Sequence, residues 1–396
     1  MKILVAWDDP SQAELLQLYL GLGDNTITVC EDADTLRKEL EKSWDIAFLS
    51  MTMPTIDAGF DLFNYAREVR PEMPVLLGCR LDEMISLPRF LMKGLRSYVV
   101  RDDRGDFIFL VLAALESSVE AIKTEMASKL SERLRDEMDS VRRLQETIIP
   151  RDIPVQHGYK SVARYEPSEV SVTGGRPVVM AGGDYYDVFP VGQTNLILIV
   201  GDASGHGLKA CMAIMTMHTL IRMVTADRYK DAALFVTEIN RWLCGNSIVQ
   251  SGGGFITLFY GSIDTVNHTM SWASAGHPLA LIHNLTTNEV YPVGTNDDGG
   301  LPLGIVGEMD YLAVETAIPE NSRVLVFSDG LTDALSPGEG KQEKMFGIEG
   351  IIATLLECRN ETIDATMERL FLASGNFTGG EGRHDDTSVL LVERGP

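Results

Sequence analysis

Short apolar runs alternate with segments of helical periodicity through the first 118 residues. The first run is Ile3–Trp7, and the segment after it, Gln12–Leu20, has apolar residues spaced three or four apart. Glycine and proline separate the later units, for example at Gly59 and Pro71. Five strand-then-helix units of this kind predict a doubly wound (βα)5 domain of the α/β class over residues 1–118.

Residues 119–150 have a different pattern, without glycine or proline until Pro150 and with many charged side chains. Apolar residues recur three, four or seven positions apart, at Val119, Ile122, Met126, Leu130, Leu134, Val141, Leu144 and Ile148. This narrow seam predicts a coiled-coil-like connector helix that forms a homodimer through residues 119–149. The alternative is a helix that lies against one of the chain's own domains.

Many short strands with glycine-rich turns follow Pro154. Two pairs of helical segments lie among them, Leu208–Thr225 with Ala232–Leu243 and Ile348–Cys358 with Ile363–Leu372. Runs of strands beside paired helices predict a layered antiparallel α+β domain over residues 151–396.

Composition narrows the class of protein. The 396 residues are 45% hydrophobic and 23% charged, and 34 basic against 57 acidic side chains give a net charge of −23. Such a charge disfavours binding to nucleic acid or to anionic membranes. The N-terminus lacks a secretion signal, and the longest apolar stretch, Phe107–Leu115, is far shorter than the ~20 residues of a membrane span. We therefore expect a cytoplasmic protein, whose five scattered cysteines are reduced.

Four acidic clusters stand where apolar strands end in glycine, at Asp184, Asp202, Asp329 and the pair Asp385–Asp386. Any one of them is most simply explained as a turn-forming aspartate. Several carboxylates converging from separate strands, however, repel one another unless a cation lies between them. Oxygen ligands without cysteine favour Mg²⁺ or Mn²⁺ over zinc.

The motifs around these clusters occur in a recognisable order. They are Gly182-Gly183-Asp184-Tyr185-Tyr186-Asp187, Gly201-Asp202-Ala203-Ser204-Gly205-His206-Gly207, Phe255-Ile256-Thr257-Leu258-Phe259-Tyr260-Gly261, Ser274-Ala275-Gly276-His277-Pro278, Leu303-Gly304-Ile305, Ser328-Asp329-Gly330-Leu331-Thr332-Asp333 and Asp385-Asp386-Thr387. The series resembles that of PPM-type Ser/Thr phosphatases, in particular the bacterial branch of the stage II sporulation protein E and sigma-factor regulatory phosphatases. It covers about residues 150–394.

The resemblance implies an αββα sandwich and a catalytic site with two Mn²⁺ or Mg²⁺ ions. Asp202 would bridge both ions, Asp329 and Asp385 would complete one, and Asp184 with the carbonyl of Ala203 would complete the other. Asp386, next to Asp385, is retained as a further candidate ligand. The implied substrate is a phosphoserine or phosphothreonine protein, and by the same resemblance an anti-sigma-factor antagonist of a partner-switching pathway.

Two histidines and a glycine run near these motifs are less specific. His206 could support a metal ligand, act as a general acid or pack in a turn, and the glycines on both sides favour packing. His277 resembles a structural residue of the same family. The run Gly252–Gly254 lacks the strand-loop-helix context of a phosphate-binding loop.

The N-terminal pattern resembles the receiver domain of response regulators. Asp8 and Asp9 follow the first strand, where that family carries its acidic metal-binding pair. Ser50 stands in place of the phosphoacceptor aspartate, Cys79 in place of a Thr or Ser, and Arg101 in place of a lysine. We predict that phosphorelay does not phosphorylate this domain; a serine kinase acting on Ser50 is the alternative input. Asp8 and Asp9 are then either remnants of the metal-binding pair or still hold a cation.

Three functions compete. The first is a metal-dependent protein phosphatase regulated by its N-terminal domain. The second is a catalytically silent adaptor that binds a partner through the phosphatase-like domain, and the third is a structural dimer organised by residues 119–149. Retention of Asp184, Asp202, Asp329 and Asp385 favours the enzyme.

Overall fold

The computed structural model describes the chain apart from residues 103, 151–152, 157, 171–177, 180–181, 206, 251–253, 338–343, 380–384 and 396. The chain forms two compact units, Met1–Leu134 and Arg135–Pro396. None of the described helices is both long enough and apolar enough to cross a membrane.

The N-terminal unit is built on a parallel sheet with the strand order β2-β1-β3-β4-β5. Its elements are β1 Lys2–Ala6, α1 Pro10–Leu20, β2 Thr26–Cys30, α2 Ala33–Glu39, β3 Ile46–Ser50, α3 Ile56–Val69, β4 Val75–Cys79, α4 Leu87–Met92, β5 Ser97–Val100 and α5 Ile108–Ile148. The predicted order of strands and helices is therefore confirmed.

Both faces of this sheet are buried. In β1 alternate side chains point to opposite faces, so Ile3 and Val5 pack in the cluster that includes α1 and the first turns of α5. Leu4 and Ala6 pack in the other cluster, with α2, α3 and α4. The doubly wound arrangement follows from these near-continuous apolar strands.

Helix α5 is longer than the pattern predicts. The fifth helix of the N-terminal unit and the connector form one uninterrupted helix, Ile108–Ile148, because no glycine or proline lies between Phe107 and Ile149. The boundary between the two units, at Leu134 and Arg135, falls within this helix.

The C-terminal unit begins with the last turns of α5 and continues in short strands and paired helices. Its elements are β6 Tyr159–Glu166, β7 Glu169–Val170, β8 Val178–Val179, β9 Asp184–Val191, β10 Asn195–Ala203, α6 Leu208–Met223, α7 Ala232–Cys244, α8 Ser247–Gln250, β11 Ile256–Asp264, β12 Thr269–Ala275, β13 Leu281–Asn284, β14 Glu289–Pro292, β15 Gly299–Gly300, β16 Val314–Ala317, β17 Ser322–Phe327, α9 Gly347–Glu357, α10 Ile363–Phe377 and β18 Thr387–Arg394.

Two sheets dominate this unit. The first has the order β15-β12-β11-β10-β9, with β16 also paired to β12, and the second has the order β14-β13-β17-β18-β6. Their pairings are antiparallel except for the short β12–β15 contact. Strands β7 and β8 form a separate small ribbon.

The two sheets pack face to face with helices outside them. Leu198 of β10 and Val324 of β17 meet in the cluster between the sheets. The neighbouring residue Ile199 faces the opposite way, into the cluster formed with α6 and α7, and Leu325 faces the cluster formed with α9 and α10. This is an αββα sandwich, as expected.

Candidate metal centre

Two of the predicted ligands face each other across one strand pair. Asp184 is the first residue of β9, and Asp202 is the second-last residue of β10. These antiparallel strands pair Asp184 directly with Asp202. The expectation that Asp184 follows the end of a strand is wrong: in an antiparallel pair the start of one strand lies beside the end of its neighbour, so both carboxylates still reach the same edge.

The second sheet brings the other acidic residues to this edge. Asp329 lies two residues after β17, and Asp385 and Asp386 lie just before β18, its antiparallel partner. Ser328 links the two ends, because its backbone N–H donates to the carbonyl of Ser388 and its hydroxyl accepts from the Ser388 N–H. The strand ends that carry these acidic residues are thus hydrogen-bonded together.

Asp184 is deeply buried, with 1% of its surface exposed. Its Oδ2 accepts a 2.6 Å hydrogen bond from the Ser328 hydroxyl, whereas its Oδ1 is buried without a hydrogen-bond partner. Burial, together with the charges of Asp202 and Asp386, raises the pKa of Asp184 well above its usual value. A buried carboxylate oxygen in this state is suited to a cation.

The neighbouring carboxylates oppose one another's ionisation. Burial and the charges of Asp329, Asp385 and Asp386 raise the pKa of Asp202 to about 8. Burial and the charges of Asp385 and Asp333 raise the pKa of Asp329 to about 6. A divalent cation would reverse this repulsion and favour the ionised forms.

Asp386 differs from the other acids because backbone amides already engage both of its carboxylate oxygens. The N–H of Ser168 donates to Oδ1 at 2.7 Å and the N–H of Gly183 donates to Oδ2 at 2.6 Å. Asp385 is more exposed, and its Oδ1 accepts from the N–H of Asp386. This arrangement gives Asp386 the role of fixing the loop before Asp184 and leaves Asp385 as the better candidate ligand.

Gly183 passes unusually close to a set of oxygens. A β-carbon at this position would lie 2.7 Å from the carbonyl oxygen of Ala203, 3.1 Å from Oδ1 of Asp202 and 3.2 Å from the carbonyl oxygen of Gly205. Oxygens concentrated in this way fit a hard divalent ion. Glycine is needed here for space.

Side chains alone do not complete a metal site in the part of the chain that the structure describes. There, no three Asp, Glu, His or Cys side chains come close enough together to hold an ion. A bound ion would therefore take further ligands from carbonyl oxygens such as that of Ala203 and from water, both of which Mg²⁺ and Mn²⁺ accept.

Gln145 is a site residue that the sequence does not reveal. It lies in the last turns of α5 with 1% of its surface exposed. Its Nε2 donates to the carbonyls of Gly182 and Asp184 at 3.1 and 3.3 Å, and its Oε1 accepts from the N–H of Gly182 at 2.8 Å. The end of the helix is thus hydrogen-bonded to the backbone of a predicted ligand.

A second network outside the predicted set anchors helix α6. Asp187 is 1% exposed, and its Oδ2 accepts from Arg222 of α6 at 2.6 Å and from the Tyr185 hydroxyl at 2.8 Å. The same hydroxyl lies 3.0 Å from Nδ1 of His218 on α6. These contacts join α6 to the strand that begins with Asp184.

Of the two histidines in the motifs, only His277 can be described. It is 5% exposed and its Nδ1 lies 2.9 Å from the Thr257 hydroxyl, while burial lowers its pKa to about 3. These are the surroundings of a packed, neutral side chain. His206 and residues 252–253 of the glycine run lie outside the described residues.

The predicted receiver positions lie together at the carboxyl ends of the parallel strands. Asp9 is the N-cap of α1 and accepts from the N–H groups of Ser11 and Gln12. Ser50 is buried at the end of β3, where its hydroxyl donates to the carbonyl of Thr52.

More than half of the chain matches a known protein family. The profile of the family described as Stage II sporulation protein E (SpoIIE) matches residues 192–395, just over half of the chain. The match includes Asp202, Asp329 and Asp385 and begins after Asp184.

Among curated proteins, IcfG of Synechocystis is 24% identical over 300 residues, which are 69% of this chain and 44% of IcfG. The phosphoserine phosphatase RsbU of Bacillus subtilis is 22% identical over 255 residues, 64% of this chain and 70% of RsbU. The match therefore spans less than half the length of IcfG.

Among solved structures, the SiaA-PP2C domain of Pseudomonas aeruginosa superposes with a TM-score of 0.54 at 16% identity. The superposition covers 67% of this chain and 98% of that domain. At this identity the similarity establishes the fold.

Proposed function

Since this chain belongs to the SpoIIE family, we propose that it is a metal-dependent protein phosphatase that hydrolyses phosphoserine or phosphothreonine on a regulatory protein. The observation that carries the proposal is the pairing of Asp184 with Asp202 on one sheet, hydrogen-bonded through Ser328 to the strand ends of the other sheet that carry Asp329 and Asp385. The relatives RsbU and RsbP of Bacillus subtilis are both named phosphoserine phosphatases.

The donor set suits two Mn²⁺ or Mg²⁺ ions. Asp202 would be shared by both, Asp329 and Asp385 would hold one, and Asp184 with the carbonyl of Ala203 would hold the other. The unpartnered Oδ1 of Asp184 and the oxygens around Gly183 support this assignment. When bound, such ions supply Lewis acidity and an activated water for attack on a phosphomonoester.

The chain's own residues hold this arrangement in place. Ser328 fixes one oxygen of Asp184, Asp386 holds the amide of Gly183, and Gln145 holds the carbonyl of Asp184. A cysteine nucleophile does not fit, because burial and the charge of Asp386 raise the pKa of the Cys211 thiol.

The N-terminal unit supplies the regulatory part of the proposal. Its strand order, β2-β1-β3-β4-β5, is that of flavodoxin-like domains and supports the receiver-like assignment. Ser50 at the end of β3 cannot form the acyl phosphate that an aspartate forms, so we expect no ordinary phosphorelay through this unit.

A homodimer is proposed through residues 119–149. Met126, Leu130 and Leu134 recur every four residues along α5 and are 39%, 59% and 56% exposed. A second copy of the same helix would cover this seam.

The proposed substrate is a phosphoserine protein of the anti-sigma-factor antagonist type. The test is release of phosphate from such proteins and from phosphoserine peptides, by the full chain, with Mn²⁺ and with EDTA. We expect turnover that requires the metal and falls at least ~10³-fold in Asp202→Ala. Asp310→Ala, an exposed acid outside the site, is the matched control.

The alternative is an adaptor that binds its partner without turnover. It would be favoured if phosphate release were absent with Mn²⁺ from a panel of phosphoserine proteins while the same proteins bound to the chain. Retention of the buried acids favours the enzyme.

A further inference from the structure

Arg101 lies directly after β5, and its side chain is 1% exposed. Both terminal nitrogens of its guanidinium donate to Asp8, Nη1 to Oδ1 and Nη2 to Oδ2, the latter at 2.9 Å. The guanidinium carbon lies 5.1 Å from the ring centroid of Trp7. Both oxygens of Asp8 are therefore covered by one buried cation.

A second buried acid lies beside this pair. Glu83 is 7% exposed, and its Oε1 lies 3.7 Å from Nη2 of Arg101. The Thr52 hydroxyl donates to Oε1, and the N–H of Arg80 donates to Oε2 at 2.7 Å. Glu83 is thus held by three groups of the protein itself.

We propose that Arg101 is the permanent cation of this pocket and that it excludes divalent metal ions from Asp8. The proposal is independent of the phosphatase function, because it concerns only the N-terminal unit.

The charge balance supports the proposal. An arginine side chain does not lose its proton in proteins, so the cation cannot be removed by a change of pH. A metal ion would have to displace the guanidinium from Asp8 and leave it buried beside Trp7 with Glu83, 3.7 Å from Nη2, as its remaining acidic neighbour, which is unfavourable. Burial opposes ionisation of Asp8, but the hydrogen bonds and the charge of Arg101 lower the pKa of this carboxyl.

Two of the three departures from the receiver pattern then have one explanation. With Arg101 occupying the cation position and Ser50 in place of an acceptor, neither the metal nor the phosphoryl group of a phosphorelay has a place to bind. The pocket is filled by an internal ion pair between Asp8 and Arg101.

The test uses Trp7 as a local reporter. The full chain is labelled with 5-fluorotryptophan, the Trp7 line in the ¹⁹F spectrum is assigned with Trp7→Phe, and Mn²⁺ is added. A paramagnetic ion bound at Asp8 would broaden the Trp7 line strongly, since the ring lies beside the pocket. The measured quantity is the difference in Mn²⁺-induced broadening of this line between a protein with Asp8 and the same protein carrying Asp8→Asn.

In the native chain we expect no Asp8-dependent broadening. In Arg101→Ala, and in the apolar near-isostere Arg101→Met, we expect broadening at least twofold above the native line width, abolished by adding Asp8→Asn. Arg80→Ala is the matched control: this arginine is 3.9 Å from Asp8 but 44% exposed, so its loss leaves the pocket closed.

Two results overturn the proposal. The first is Asp8-dependent broadening in the native chain, which shows a working metal site whatever the variants do. The second is its absence in both Arg101 variants when their ¹⁹F lines remain dispersed, which shows that Arg101 is not what excludes the ion.

Discussion

The hydroxyl of Ser328 donates a 2.6 Å hydrogen bond to Oδ2 of Asp184, and this bond joins the two sheets of the sandwich at the candidate metal centre. Ser328 follows β17 of one sheet, and Asp184 begins β9 of the other. The orientation of a buried carboxylate in the first sheet is thus set by a side chain of the second.

Ser328→Ala is expected to weaken Mn²⁺ binding by roughly tenfold or more, because outer partners of metal ligands typically contribute this much. Equilibrium dialysis or electron paramagnetic resonance of free Mn²⁺ measures it without reference to turnover. Ser322→Ala is the matched control, since Ser322 is equally buried at the start of β17, the strand that Ser328 follows, and donates to the Pro319 carbonyl. Equal Mn²⁺ affinity of the two variants would contradict the assigned role.

Gly183→Ala is expected to abolish metal binding and to destabilise the fold by about 1–3 kcal/mol, because the new methyl group overlaps the carbonyl oxygen of Ala203. Urea unfolding and Mn²⁺ binding measure the two effects. In Gly375→Ala, by contrast, the methyl group meets nothing within 4 Å on helix α10, and a gain of about 0.5–1 kcal/mol is expected. A stable, metal-binding Gly183→Ala protein would show that the segment is free to move.

Gln145→Leu removes three hydrogen bonds from the backbone of Gly182 and Asp184 and leaves their buried groups unsatisfied. We expect a loss of about 2 kcal/mol or more in the free energy of unfolding and faster amide exchange at Gly182. Hydrogen exchange read by mass spectrometry tests both. The control is Gln156→Leu, because that exposed side chain donates to one exposed carbonyl, at Gln193. Unchanged exchange at Gly182 would mean that Gln145 does not hold this segment.

Arg222→Ala leaves the carboxylate of Asp187 buried without its cationic partner, although the Tyr185 hydroxyl still donates to it. Since Arg222 itself is 46% exposed, we expect a loss of about 1–3 kcal/mol, less than for a fully buried pair. Arg222→Lys should recover part of it. Arg228→Ala, which breaks the more exposed pair with Glu238, should cost less than about 1 kcal/mol in urea unfolding.

Leu130→Glu combined with Leu134→Glu should convert the proposed dimer to monomers, because charges would then face each other across the seam of α5. Sedimentation velocity measures the change. Ser128→Glu adds a charge on the opposite side of the same helix and should leave the mass unchanged. A native chain that sediments as a monomer at all concentrations tested would refute the dimer.

The sequence predicts those features of the fold that depend on the local pattern of apolar and polar residues. Short apolar runs predict the strands of the two large sheets of the C-terminal unit. The motifs at Asp202, Asp329 and Asp385 predict which strand ends meet. The length of α5 follows from the absence of glycine and proline between Phe107 and Ile149, although the sudden change in seam pattern at Val119 suggests two helices where the structure has one.

The roles of Gln145 and Ser328 cannot be predicted in the same way. A glutamine near the end of a highly charged helix is expected to be exposed to solvent. Gln145 is buried because it contacts residues 182–184, which are distant in sequence. Asp385 and Asp386 are adjacent in sequence and identical in chemistry. Only their backbone surroundings distinguish them, because amides from Ser168 and Gly183 engage Asp386.

The pairing of β9 with β10 limits the insertions that the turn between these strands can accept. The three residues 192–194 join these strands, with Gly192 at a φ of +65°. A one-residue slip in an antiparallel pair sends every side chain to the opposite face, so one residue added to this turn would carry Asp184 away from Asp202. The turn lies roughly 25 Å from the carboxylates along the strands. The length of this turn therefore determines whether the two carboxylates meet, although no group in the turn touches them.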